Sequence, residues 1–235
     1  LETHFNVLSR TMRKLSDFEQ KKYLRNRIEC SEEEVDEIFA KIKNNIQLFP
    51  HNDVMGIPLL LYMLTELVRK DQRKYKILLN KVFSIADLYK YFVEEKFNVY
   101  FRDKEGVGDP KALNDIVYQR ITDEKYQRID YYKKSSVKLY FEDDVVRTST
   151  EVTKIRDPIG FIINTSAEFG PEFFHNSFGE YFAALYLAEH WEKTSHIPNF
   201  TFDEKYYNIR FFLDLILAKN SPVHRAVLYT NPHLL

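Results

Sequence analysis

Three consecutive carboxylates, Glu32, Glu33 and Glu34, are the densest set of acid–base groups in the chain. Such groups could exchange protons with a substrate. Their place directly after Ser31 gives a better explanation, because acids in a first helical turn oppose the positive end of the helix dipole. His190 and His196 are the nearest histidine pair, and no carboxylates join them at metal-ligand spacing, so a solvated surface role is expected and no metal site. Cys30 is the sole cysteine. It reads as a buried or inert thiol rather than a nucleophile. The pairs Lys21–Lys22 and Lys133–Lys134 read as solvated faces. The glycines are never spaced to cradle phosphates, so the chain carries no Walker-type loop. No catalytic constellation can be assembled, and the chain is not expected to be an enzyme. His175, taken alone between a strand and a helix start, reads as a local hydrogen-bonding residue.

The elements that must position these groups are mainly helical. The 235 residues include only 6 glycines, and 44% are apolar, enough for one large domain or two small ones. The formal net charge is −1, which gives no electrostatic reason to bind nucleic acid, a membrane surface or an acidic substrate. A single cysteine suits a reducing, cytoplasmic setting. No uncharged apolar run approaches the ~18 residues of a membrane span. The start at Leu1-Glu2-Thr3-His4 carries neither an initiator Met nor a signal pattern, which suggests a beginning inside a larger protein.

Phe5 to Ser9 alternates weakly, as an edge strand would. Ser16-Asp17-Phe18-Glu19 and Ser31-Glu32-Glu33-Glu34 are capping boxes. They open helices over 17–27 and through the stripe Val35, Ile38, Phe39, Ile42 and Ile46. Pro58 suits the first position of a third, central helix carrying Leu59, Leu60, Met63, Leu64, Leu67 and Val68. Ser84 caps a fourth, with Ile85, Leu88, Phe92 and Val99 inward. Residues 111–144 read as mostly helix, although 126–141 shows no clear period. Residues 160–164 and 172–175 read as a hairpin with Gly170 in the link. Ser177-Phe178-Gly179-Glu180 is a further capping box, opening a helix with Phe178, Phe182, Leu185 and Glu189 on one line. A last helix over 206–218 gathers Phe211, Phe212, Leu215 and Ile216.

The run Phe173-Phe174-His175-Asn176-Ser177-Phe178-Gly179-Glu180-Tyr181-Phe182-Ala183-Ala184 resembles the NACHT-family pattern phenylalanine-x-histidine-x-serine-phenylalanine-x-glutamate-tyrosine-phenylalanine-alanine-alanine. Three other segments fall in the family's order. Leu15 to Leu24 looks like the segment leaving the nucleotide-binding sheet. Met55-Gly56-Ile57-Pro58 looks like the glycine-x-proline element of the first helical subdomain. Ile85 to Phe92 looks like the start of the winged-helix subdomain. The resemblance covers roughly 5–191 and rests only on layout between 111 and 156.

It implies the C-terminal half of a STAND NTPase. The fold would be mainly α, a helical bundle subdomain followed by a winged-helix-like subdomain with a small β-hairpin. Residues 1–15 would be the last strand of an upstream nucleotide-binding domain, 16–82 the first helical subdomain, 83–191 the winged-helix-like subdomain and 192–235 a helical linker. Ser221-Pro222-Val223-His224 resembles the opening of an ankyrin repeat, implying a downstream repeat domain. The resemblance makes the chain part of an ADP/ATP-dependent signalling switch that self-associates when activated, as in innate immunity. His175 would hydrogen-bond the β-phosphate of ADP, and Pro58 would pack near the adenine. Phosphate-binding loop and magnesium site would precede Leu1, so tight nucleotide binding by this chain is not expected. Two other readings stay open. One is a helical scaffold for protein partners, with 126–140 as its surface. The other is a nucleic-acid-binding winged helix, against which neutral charge, Glu180 and Glu189 speak.

Overall fold

The computed structural model describes residues 15–28, 30–47, 58–70, 83–105, 115–141, 157–166, 170–190, 200 and 203–220. The strand expected at 5–9 and the ankyrin-like segment at 221–224 lie outside these. The described chain is mainly helical with a small antiparallel hairpin. It divides into two compact units, with the division between Leu88 and Tyr89.

In the first unit, α1 (Asp17–Ile28) packs on α2 (Glu32–Asn45) and on α3 (Pro58–Lys70). Both expected capping boxes form. The backbone N–H of Ser16 donates to Glu19 Oε2 at 2.8 Å, and that of Glu34 donates to Ser31 Oγ at 3.2 Å. Val35, Ile38, Phe39 and Ile42 are buried along α2, as their spacing predicts. The fifth member of that stripe, Ile46, leaves the helix. It joins Gln47 in a short strand, β1 (Ile46–Gln47), parallel to β2 (Phe83–Ser84). On α3, Leu60, Leu61, Met63, Leu64, Leu67 and Val68 are buried, a broad apolar face. Lys21 pairs with Asp36 at 2.6 Å and Lys43 with Asp17 at 2.7 Å, across α1 and α2. These pairs are exposed and contribute at most about 1 kcal/mol each.

α4 (Ile85–Glu105) starts as expected at Ser84, whose Oγ accepts from the Asp87 N–H at 3.2 Å. The second unit holds the rest of α4 together with α5 (Asp115–Phe141), β3 (Ile162–Ser166), β4 (Gly170–Phe173), α6 (Asn176–Glu189), a 3-10 turn (Glu204–Tyr206) and α7 (Tyr207–Asn220). The stretch without a clear period, 126–141, belongs to one continuous 27-residue helix, α5. Its tyrosines do not form one surface. Tyr126 is exposed, whereas Tyr132 is buried among Phe97, Phe161 and Phe182.

α6 lies at the centre, packed on α5, α7 and β4. Its buried set is Phe178, Gly179, Tyr181, Phe182, Ala183, Ala184 and Leu187. Of the line Phe178, Phe182, Leu185 and Glu189, the two phenylalanines are buried, Leu185 is half-buried and Glu189 is exposed. Each fully buried Phe contributes ~1.5–3 kcal/mol of hydrophobic stabilisation. Gly179 stands where a Cβ would come to 3.0 Å from the Phe173 ring, so a larger residue there would make that ring give by a few tenths of an ångström. On α7 the buried residues are Ile209, Phe212, Leu213 and Ala218; of the expected Phe211, Phe212, Leu215 and Ile216, Phe212 is buried and the other three are half-buried. Lys133 also departs from expectation. Its side chain is only 12% exposed and is paired with Glu189, joining α5 to α6.

The hairpin strands are shifted from their expected bounds, with β3 running on to Ser166 and β4 opening at Gly170. Gly170 opens β4 with φ 75°, a left-handed conformation that glycine adopts without strain. Ile162 pairs with Phe173 and Asn164 with Glu172, which leaves Ile163 as a bulge. Asp157 secures the approach to β3. Its carboxylate accepts from the backbone N–H groups of Ile159, Phe161 and Ile162 at 3.1, 2.7 and 2.9 Å.

Candidate functional site

β4 ends at Phe173, and the backbone N–H of Phe174 donates to Phe161 O at 2.8 Å. This bond holds the strand exit, and the chain turns directly into α6. His175 is the N-cap of α6, with extended backbone (φ −149°, ψ 136°). Its imidazole is exposed rather than part of the apolar core. The expected capping box from Ser177 to Glu180 does not open the helix, because α6 begins a residue before Ser177 and His175 takes the capping role. Both members of that pair are engaged elsewhere. Ser177 Oγ accepts from the Tyr89 hydroxyl at 2.6 Å, and Glu180 Oε1 accepts from Asn208 Nδ2 at 3.0 Å.

The cap fixes the chemistry of the imidazole. The Ser177 N–H donates to His175 Nδ1 at 3.2 Å. An amide N–H can only donate, so Nδ1 is unprotonated and the ring proton of the neutral form sits on Nε2. Partial burial holds the His175 pKa below the ordinary imidazole value. His175 is therefore a neutral donor near pH 7, placed at a helix N-terminus where backbone dipoles favour an anion. As a reader of its surroundings it offers one N–H, not a full positive charge. Phe174, beside it in sequence, is also exposed.

Pro58, the other residue singled out in the sequence, is the first residue of α3 and is partly exposed. Its missing N–H costs nothing there. It belongs to the first unit and His175 to the second.

Other residues singled out in the sequence make bonds within the fold. Glu34 caps α2. Burial pushes the Glu180 carboxyl up, with the Asn208 amide opposing. His190 is the C-cap of α6, stacked on Tyr186 with its Nδ1 3.0 Å from Tyr186 O. Cys30 is partly buried. Among the described residues, no group of three or more His, Cys, Asp or Glu side chains could hold a metal ion. An open groove of about 1090 Å³ runs along α5 beside Lys104. Within it Glu124 accepts from Lys104 at 2.7 Å and from Arg128 at 2.9 Å. It does not include His175.

Sequence reasoning singled out His175 but not the groups behind it. Tyr89 stands 88 residues from Ser177, and nothing local to either residue signals the bond between them.

A scan against protein-family models finds no match, and comparisons with curated proteins and with solved structures find none either. Among the described residues, no helix is long and apolar enough to cross a membrane.

Proposed function

We propose that the chain is a regulatory part of a NACHT-type nucleotide-dependent switch. In this reading His175 donates its Nε2–H to the β-phosphate of bound ADP, and Pro58 borders the adenine. The phosphate-binding loop and the magnesium ligands belong to an upstream nucleotide-binding domain, so hydrolysis is not assigned to these residues. ADP holds the switch closed, and exchange for ATP releases it to self-associate in the cytoplasm. The segment after 220 leads into a repeat domain. The observation that carries the reading is the run Phe173 to Ala184 with an exposed imidazole at a helix N-terminus, its Nδ1 occupied and its Nε2 without a partner among the described residues. A ligand that gains this hydrogen bond in one state and not the other shifts the switch by that difference in affinity.

The test is ADP retention by the intact protein carrying His175→Ala or His175→Asn. Asparagine is a good N-cap, and its shorter amide cannot place an N–H where Nε2 stood, so the second variant keeps the helix start while withdrawing the outward donor. Faster ADP release from both variants supports the reading. Retention equal to the parent in both counts against it.

A further inference from the structure

The contact that fixes the His175 tautomer is backed by two further groups. Ser177 Oγ lies 2.7 Å from His175 Nδ1. Nδ1 already accepts from an amide N–H and carries no proton of its own. The proton in the Oγ–Nδ1 contact must therefore come from the Ser177 hydroxyl. A serine has one such proton, so its oxygen can meet the Tyr89 hydroxyl only as an acceptor. The 2.6 Å contact between Tyr89 and Ser177 thus runs in a single direction. Tyr89 donates to Ser177, and Ser177 donates to His175. Tyr89 is 2% exposed, and its ring is set by contacts with Phe178, Tyr181 and Phe212.

We infer that Tyr89 and Ser177 are positioning residues that lock His175 as an Nε2–H donor, making it a reader of a single hydrogen-bond acceptor such as a phosphate oxygen. The ligand class rests on the function proposed above, whereas the lock itself does not. Burial keeps the Tyr89 hydroxyl protonated, so the first donor of the relay is always loaded near neutral pH. The opposite end of α6 supplies a built-in contrast. His190 Nδ1 faces the carbonyl of Tyr186, which can only accept, so His190 carries its proton on Nδ1.

The experiment is nitrogen NMR of the imidazoles in the ligand-free full chain, with His175→Gln and His190→Gln used to assign their signals. The parent should show His175 protonated at Nε2 and His190 at Nδ1. Ser177→Ala removes one hydrogen bond to Nδ1 and should shift the His175 tautomer ratio roughly 2- to 10-fold toward Nδ1–H. Ser177→Thr, which keeps a hydroxyl, should restore the parent ratio, and Tyr89→Phe should give a smaller shift than Ser177→Ala. The His190 signature reports that α6 is intact, and Tyr89→Phe decides the matter if Ser177→Ala loses it. Nδ1–H at His175 in the parent, or a ratio unmoved by Ser177→Ala and Tyr89→Phe in folded protein, overturns the inference. No nucleotide is present, so this failure is separate from a failure to alter ADP retention. A confirmed lock with unchanged ADP release would leave the relay standing and remove its assigned ligand.

Discussion

The hydroxyl of Tyr132 on α5 donates to Asp157 Oδ1 at 2.6 Å, tying the middle of a long helix to the turn that launches the hairpin. The phenol is buried, and burial together with the Asp157 charge raises its pKa. The same carboxylate receives the backbone N–H groups of Ile159, Phe161 and Ile162. One side chain thus organises the strand that leads toward His175.

Tyr132→Phe keeps the ring and removes a hydrogen bond to a charged group. It should cost about 1.5–3 kcal/mol in urea unfolding. Asp157→Ala should cost more, because it also strands three backbone donors. If Asp157→Ala unfolds at the same urea concentration as the parent, the carboxylate does not organise the turn.

Buried phenols give a directional alkaline response. Tyr89, Tyr132 and Tyr140 all have pKa values raised chiefly by burial. Above the ordinary tyrosine value of 10.0 the unfolded chain loses these protons while the folded chain keeps them. The unfolded state then binds fewer protons, and stability falls as pH rises. Melting temperature against pH should decline above about pH 10, and Tyr89→Phe should reduce the slope. An unchanged slope would argue that Tyr89 contributes nothing to it.

His175 predicts the opposite direction near neutrality. Its folded pKa is lowered from 6.5, so its stabilising contribution is present above that value and is lost as pH falls through the folded pKa. His175→Asn should flatten this part of the profile and stay within a few tenths of a kcal/mol of the parent at pH 7, as a competent N-cap. His175→Ala should lose about 1 kcal/mol with the cap. Denaturant unfolding of the three proteins at pH 5 and pH 7 checks both statements.

Glu180 is a penalised charge. Burial raises its pKa from 4.5, and its hydrogen bond from Asn208 offsets only part of that effect. Stability contributed by the protonated form is lost as pH rises from 4.5 through the folded value. Glu180→Gln keeps an acceptor for Asn208 and removes the ionisation, so it should melt higher than the parent at pH 7 and show little difference at pH 4. A lower melting point at pH 7 would mean that the charge itself is favourable.

Gly170→Ala meets no neighbouring atom within 4 Å, yet φ 75° forces the new side chain into the left-handed region. The expected loss is about 1–2 kcal/mol, measurable as a lower urea midpoint with an unchanged slope. No loss would mean that the hairpin turn relaxes to another conformation.

What the chain determines by itself is seen in Ser16 with Glu19, Ser31 with Glu34 and Ser84 with Asp87. The first two pairs form the reciprocal bonds expected of them, and Ser84, expected as a cap, forms the same pair of bonds with Asp87. Their partners are three residues apart, and the first helical turn alone brings them together. Ser177 and Glu180 have the same spacing and a different outcome. Distant groups, the Tyr89 hydroxyl and the Asn208 amide, bind them once α4 and α7 pack beside α6, and the cap passes to His175. Sequence could mark the histidine and the strand before it, because those signals are local. The ring proton is placed by a contact two residues away, the Ser177 N–H on His175 Nδ1, whereas the tyrosine that backs Ser177 reaches the site only through the folded core, which no local signal announces.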